Sequence, residues 1–135
     1  MNQATTTLRI ANGGVRILLR AEGLALLLAA VSLYWHAGGD WRVFALLFLV
    51  PDLSFAGYLA GPRLGALAYN TMHSTIVPLA LASAAVASDQ RSALALALIW
   101  LAHIGFDRAL GYGLKQARGF GFTHLGAIGR MPQES

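Results

Sequence analysis

The sequence predicts an all-α membrane protein, a four-helix transmembrane bundle of up-down-up-down topology with both termini in the cytoplasm. Three observations carry this reading. Of the 135 residues, 56% are hydrophobic and only 12% charged, and mean hydropathy is +0.57, which leaves too little charge to cover a soluble domain of this size. Charge-poor stretches of about twenty residues recur four times, each near the length that crosses a hydrocarbon core of about 30 Å. Short turn-forming clusters separate them, so consecutive helices must run antiparallel.

The first helix is expected over residues 15–35, opened by the flexible Asn12-Gly13-Gly14 and closed by His36-Ala37-Gly38-Gly39-Asp40. Nothing before it has the basic region, short apolar core and small-residue cleavage pattern of a secretory signal, so this helix is expected to be retained. Trp35 and Trp41 flank the first turn and mark it as a connection at the water boundary. The second helix is expected over 41–59, stopped by Ala60-Gly61-Pro62-Arg63, and the third over 64–87. Pro51 and Pro78 fall inside them and predict a bend in each, tolerated where neighbouring groups satisfy the freed carbonyl. After the polar turn Ser88-Asp89-Gln90-Arg91 the fourth helix is expected over 92–114, followed by a Gly-rich cytoplasmic tail, 115–135, read as a loop or a surface-lying segment. Small residues in the last two helices, among them Gly65, Ala66, Ala102 and Gly105, suit close approach of backbones.

Orientation follows from charge. Arg9, Arg16, Arg20, Arg63, Lys115, Arg118 and Arg130 fall on one side, and only Arg42 and Arg91, each near an Asp, on the other. The basic side is expected to be cytoplasmic and the membrane the inner, plasma membrane. The formal charge of +4 does not imply a nucleic acid partner, because the basic residues flank apolar segments and form no continuous patch. The lipid bilayer is the expected partner, with a homo-oligomer or another membrane protein as a further one. The absence of cysteine excludes disulfides, thiolate metal sites and cysteine nucleophiles.

Each helix carries polar residues at odds with lipid: Glu22 on the first, Asp52 on the second, Asn70 and His73 on the third, His103, Asp107 and Arg108 on the fourth. At about 1.5 Å per residue, Glu22, Asn70, Asp107 and Arg108 lie roughly 7 to 11 Å from the cytoplasmic ends, and Asp52, His73 and His103 roughly 12 to 15 Å. An ionisable group near mid-helix costs about 2.5 to 3.5 kcal/mol on insertion, so several at one depth are expected to face each other. The three-residue spacing of Asn70 and His73, and the four-residue spacing of His103 and Asp107, put each pair on one helix face. Tyr69 and Tyr112 add hydroxyls at the cytoplasmic end.

Neutral imidazole and carboxylate suit a divalent transition metal such as Zn, Fe or Mn, with His73, His103, Asp52, Asp107 and Glu22 as candidate ligands. The spacing matches neither the Glu-x-x-His pairs of di-iron bundles nor a His-Glu-x-x-His motif. The same residues support general acid–base chemistry or a proton path, with Asp52, His103 and Asp107 as catalytic candidates. They also support a structural reading, polar contacts that fix helix register at about 0.6 kcal/mol each. A bis-His haem between His73 and His103 draws on nothing beyond similar depth. Apolar runs from Leu24 to Leu33 and Leu94 to Leu101 argue against a polar path through the bilayer, as a proton- or ion-linked carrier needs.

The motifs Arg20-Ala21-Glu22-Gly23, Pro51-Asp52-Leu53-Ser54, Gly61-Pro62-Arg63-Leu64-Gly65, Tyr69-Asn70-Thr71-Met72-His73, the stretch from His103 to Lys115, and Thr123-His124-Leu125-Gly126 together resemble a bacterial family of small integral membrane proteins catalogued as a domain of unknown function, number 4260. The resemblance covers nearly the whole chain and implies no activity or cofactor. Its motif positions here are Glu22, Asp52, Asn70, His73, His103, Asp107, Arg108, Tyr112, Lys115 and His124, which implies a shared polar site. The expected function is a multi-pass membrane protein with a buried pocket in its cytoplasmic half, made by the first six with Arg108, Lys115 and His124 near its mouth, binding a metal or small polar ligand. A carrier and a structural membrane subunit are the alternatives.

Overall fold

The description rests on a computed structural model that covers residues 3–116, 119–123 and 126–127, with side chains described over 13–114. The body is helical: α1 (Gln3–His36), α2 (Trp41–Phe48) running into a 3-10 helix (Val50–Ala60), α3 (Pro62–His73), α4 (Ile76–Ala87) and α5 (Arg91–Leu110). All four expected helical segments are present, and two of them are broken.

α1 starts about twelve residues before the expected position, so Asn12-Gly13-Gly14 lie inside it rather than opening it. Glycine in a helix costs only about 1 kcal/mol relative to alanine and does not by itself end one. The apolar part still begins at Gly13. Three helix ends close by the same device, a left-handed residue that lets the next amide reach back five positions. Gly38 (φ 74) ends α1 and Asp89 (φ 51) ends α4. At Gly111 (φ 93) the amide of Tyr112 donates to the carbonyl of Asp107 at 2.8 Å. α5 therefore stops at Leu110, four residues short of the expected Leu114, and Tyr112 sits in the turn beyond it.

The two breaks follow from the two prolines. Each lacks an N–H, and its ring crowds the carbonyl four residues back. Pro51 ends α2 at Phe48, and the chain tightens into the 3-10 helix, in which the Asp52 amide donates to the carbonyl of Leu49 at 3.1 Å. Eleven residues of 3-10 helix is long for a form that rarely exceeds three or four. Pro78 crowds Ser74, which turns extended (φ −80, ψ 139) and separates α3 from α4. The expected continuous helix over 64–87 is thus two helices of twelve residues each.

α5 is the central helix, with α1, α2 and α4 packed on it, while α3 lies against the 3-10 helix. α1 runs antiparallel along α5: Gly105 meets the backbone of Gly23 and Leu27, Ala30 packs with Leu101 and Ala102, and Tyr34 with Leu98 and Ile99. A Cβ on Gly105 would stand 2.6 Å from the Leu27 nitrogen and 2.7 Å from the Gly23 oxygen, so only glycine permits this approach. Gly57 and Gly65 play the same part between the 3-10 helix and α3, where the Tyr58 ring covers Gly65.

Three helices, Gly13–His36, Trp41–Ala60 and Arg91–Leu110, are long and apolar enough to cross a membrane. The apolar windows of the first two are only 17% and 6% buried within the protein, so side chains such as Ile17, Leu28, Leu46, Leu53 and Leu59 point outward. That outward apolar surface suits lipid. α3 and α4, at about 18 Å each, are individually too short to span.

Part of the tail, expected as a loop or a surface-lying segment, is described. Lys115–Gln116, Gly119–Thr123 and Gly126–Ala127 form three short antiparallel strands, consistent with the alternation Gly119-Phe120-Gly121-Phe122, whose period of two is that of a strand.

Candidate metal centre

The proline breaks place two of the four central residues. Asp52 sits in the first turn of the 3-10 helix behind Pro51, and His73 is the last residue of α3 before the chain turns away at Ser74. The other two, His103 and Asp107, lie one turn apart on α5. One ligand atom from each of Asp52, His73, His103 and Asp107 falls within 4.8 Å of all the others.

The distances are specific. His73 Nε2 lies 3.1 Å from His103 Nε2, 3.5 Å from Asp52 Oδ1 and 3.4 Å from Asp107 Oδ2. His103 Nε2 lies 3.4 Å from Asp52 Oδ1 and 3.7 Å from Asp107 Oδ2. Tetrahedral zinc with bonds of about 2.0 to 2.2 Å to nitrogen and oxygen has ligand–ligand edges of about 3.3 to 3.6 Å. Five of the six separations, from 3.1 to 3.7 Å, bracket that range, and all four atoms lie within 4.8 Å of one another, a spacing that suits a divalent metal. Both imidazoles are buried, at 3% and 1% exposure, and Asp52, with 36% of its side chain exposed, is the most exposed of the four.

The surroundings orient the ligands. His73 Nδ1 lies 2.9 Å from the carbonyl of Tyr69; donating there, it carries its proton on Nδ1 and turns the Nε2 lone pair toward the cluster. The Tyr69 ring stacks on that imidazole at 3.7 Å and 11°, and its hydroxyl donates to Asp107 Oδ2 at 3.3 Å. Phe48 packs edge-on against His103 at 5.3 Å. Trp100 Nε1 donates to the Met72 carbonyl at 2.6 Å, satisfying a group that the end of α3 leaves without a helical partner. His103 Nδ1 is buried and has no hydrogen-bond partner among the described residues.

A family model described as Domain of unknown function (DUF4260) matches residues 16–128, with all four cluster residues inside the match. The chain belongs to this family. No curated protein and no solved structure matches it. The family brings no activity, so the chemistry of the DUF4260 site has to be read from its geometry.

Of the candidate residues, the structure brings Asp52, His73, His103 and Asp107 together. Glu22 is exposed on α1 and stands outside this set, and Asn70 is half-buried on α3, one turn before His73. Asp107, Arg108 and Tyr112 line a cavity of about 10 Å³ beside His73, room for about one water. Lys115 falls in the first strand of the tail, and His124 lies outside the described residues. Arg20 donates through Nε to the carbonyl of Ala109 at 2.8 Å, where a cation complements the negative end of α5.

The sequence named Tyr69 only as a nearby hydroxyl and missed Phe48 and Trp100. Tyr69 was findable, since it precedes His73 by four residues and so shares its face. Trp100, three residues before His103 on α5, was findable by the same spacing, whereas Phe48 reaches His103 at the broken end of α2.

Proposed function

We propose that this chain is a multi-pass membrane protein that binds one divalent transition metal, zinc before iron or manganese, through Asp52, His73, His103 and Asp107. The single observation that carries the reading is the set of contacts from 3.1 to 3.7 Å among four ligand atoms drawn from three helical elements. Charge balance adds to it: two carboxylates offset a divalent ion and two neutral imidazoles add nothing, so the filled site is neutral where unpaired charge is costly. The polar residues then have a reason to be among apolar helices.

In this reading the third segment joins the three long apolar helices in a bundle of four, within the inner, plasma membrane, with both termini cytoplasmic. Support comes from the basic residues, seven on one side against Arg42 and Arg91 on the other, and from Arg16 and Arg20 of α1 lying beside Gly111 at the end of α5.

The test is elemental analysis of the detergent-purified protein beside a His73→Ala/His103→Ala variant with matched helix content by circular dichroism. The expected result is close to one metal per wild-type chain, lost in the variant. No metal in either, after incubation with Zn, Fe and Mn, overturns the proposal. One observation favours a second reading in that case: the 3.1 Å between the two Nε2 atoms is a hydrogen-bond length, so a metal-free pair shares a proton and the cluster serves acid–base chemistry.

A further inference from the structure

The metal cluster has a polar side and an apolar side. Toward the end of α5 lie Asp107, Arg108 and Tyr112, around the small cavity already described. One turn the other way is a second cavity of about 170 Å³, walled by Leu47, Val50, Pro51, Met72, Ile99 and Trp100. Pro51 and Met72 immediately precede the ligands Asp52 and His73, and Ile99 stands four residues before the ligand His103. The same two chain breaks that place the ligands therefore open this space, because α2 and α3 both stop beside it.

We infer that this cavity holds the alkyl chain of an amphiphilic ligand whose oxygen-bearing head reaches the metal cluster, an assignment that rests on the metal reading above. Its lining is apolar, and the indole N–H of Trp100 is already bonded to Met72. Its floor is closed by Ile99, 1% exposed, and its rim is formed by Val50 and Leu96, 39% and 44% exposed. In a bilayer that rim faces acyl chains, so the chain enters sideways from the lipid and not from water. An apolar space of about 150 Å³ stays dry and takes a benzene-sized group, so this one accommodates about six carbons. The head then arrives at Asp52, the most exposed of the four cluster residues, where a metal held by the four side chains would offer a position for an oxygen donor.

Trp100 lines the cavity and reports on it. Trp35 and Trp41 lie together at the α1–α2 turn, and replacing both with Phe leaves Trp100 as the one indole. In nanodiscs of unbrominated phosphatidylcholine, ω-bromoalkanoates of two to twelve carbons are titrated against its fluorescence, with metal content measured on the same samples. The expected result is saturable quenching, reversed by the unbrominated acid, with affinity that rises to about six carbons and then levels off. Partition into lipid alone would rise with every added carbon and would not saturate. Val50→Phe fills the cavity from the 3-10 helix and Leu96→Phe from α5; each is expected to weaken binding at least tenfold with metal retained. Unsaturable quenching in metal-loaded protein, or binding untouched by whichever filling variant retains metal, overturns the alkyl site. Saturable, variant-sensitive quenching in protein that takes up no metal keeps the alkyl compartment and overturns the role of the metal.

Discussion

His73 Nε2 and His103 Nε2 stand 3.1 Å apart, from helices that reach each other only because α3 ends at His73. With Asp52 and Asp107 they form a compact cluster of nitrogen and oxygen atoms within 4.8 Å of one another, and the geometry it imposes on a metal is open to measurement.

Cobalt(II) reports that shape directly, since four-coordinate tetrahedral cobalt absorbs strongly in the visible and six-coordinate cobalt weakly. Cobalt-loaded protein is expected to show the intense tetrahedral bands, and His103→Gln to lose them. Weak octahedral bands in the wild type would mean that water, not four side chains, completes the site.

Tyr69→Phe keeps the ring that stacks on His73 and deletes the hydroxyl that donates to Asp107. Removing such an outer partner typically weakens metal binding about 10- to 100-fold. A fall of about tenfold is expected in competition titrations against a chelator, with helix content unchanged. Unaltered affinity would remove Tyr69 from the site.

Pro78→Ala restores an amide that can donate to Ser74 and removes the ring that crowds it. α3 and α4 are then expected to join, turning His73 away from His103, with helix content kept or raised and metal affinity reduced at least tenfold. Retained affinity would show that the break at Ser74 has another cause.

Gly105→Val places carbon where the Leu27 nitrogen and Gly23 oxygen already lie. Overpacking of this kind costs about 1 to 3 kcal/mol, expected as a lower unfolding temperature in detergent. Gly13→Val, where no atom lies within 4 Å, is the matched control and is expected to change little.

Much of this was legible in the chain. Hydropathy located the helical segments, and insertion cost singled out Asp52, His73, His103 and Asp107 by depth alone. Depth carries no azimuth, however, so Glu22 was grouped with them although α1 turns it outward. The prolines announced bends at 51 and 78, but not that the rest of one segment would form a 3-10 helix packed on α3 through Gly57 and Gly65. The end of α5 was misplaced by four residues because Gly111, which closes it, stands in a run where Gly113 offers the same freedom.

The division of residues 62–87 into two helices of twelve also bears on how the protein is made. Neither half can be recognised as a complete membrane segment while it leaves the ribosome. α3 finds its partner in the 3-10 helix, synthesised just before it, but α4 must wait for α5, synthesised just after. In the proposed four-span bundle, integration of the middle of this chain is thus a cooperative act of folding, completed only when the helix bearing His103 and Asp107 arrives.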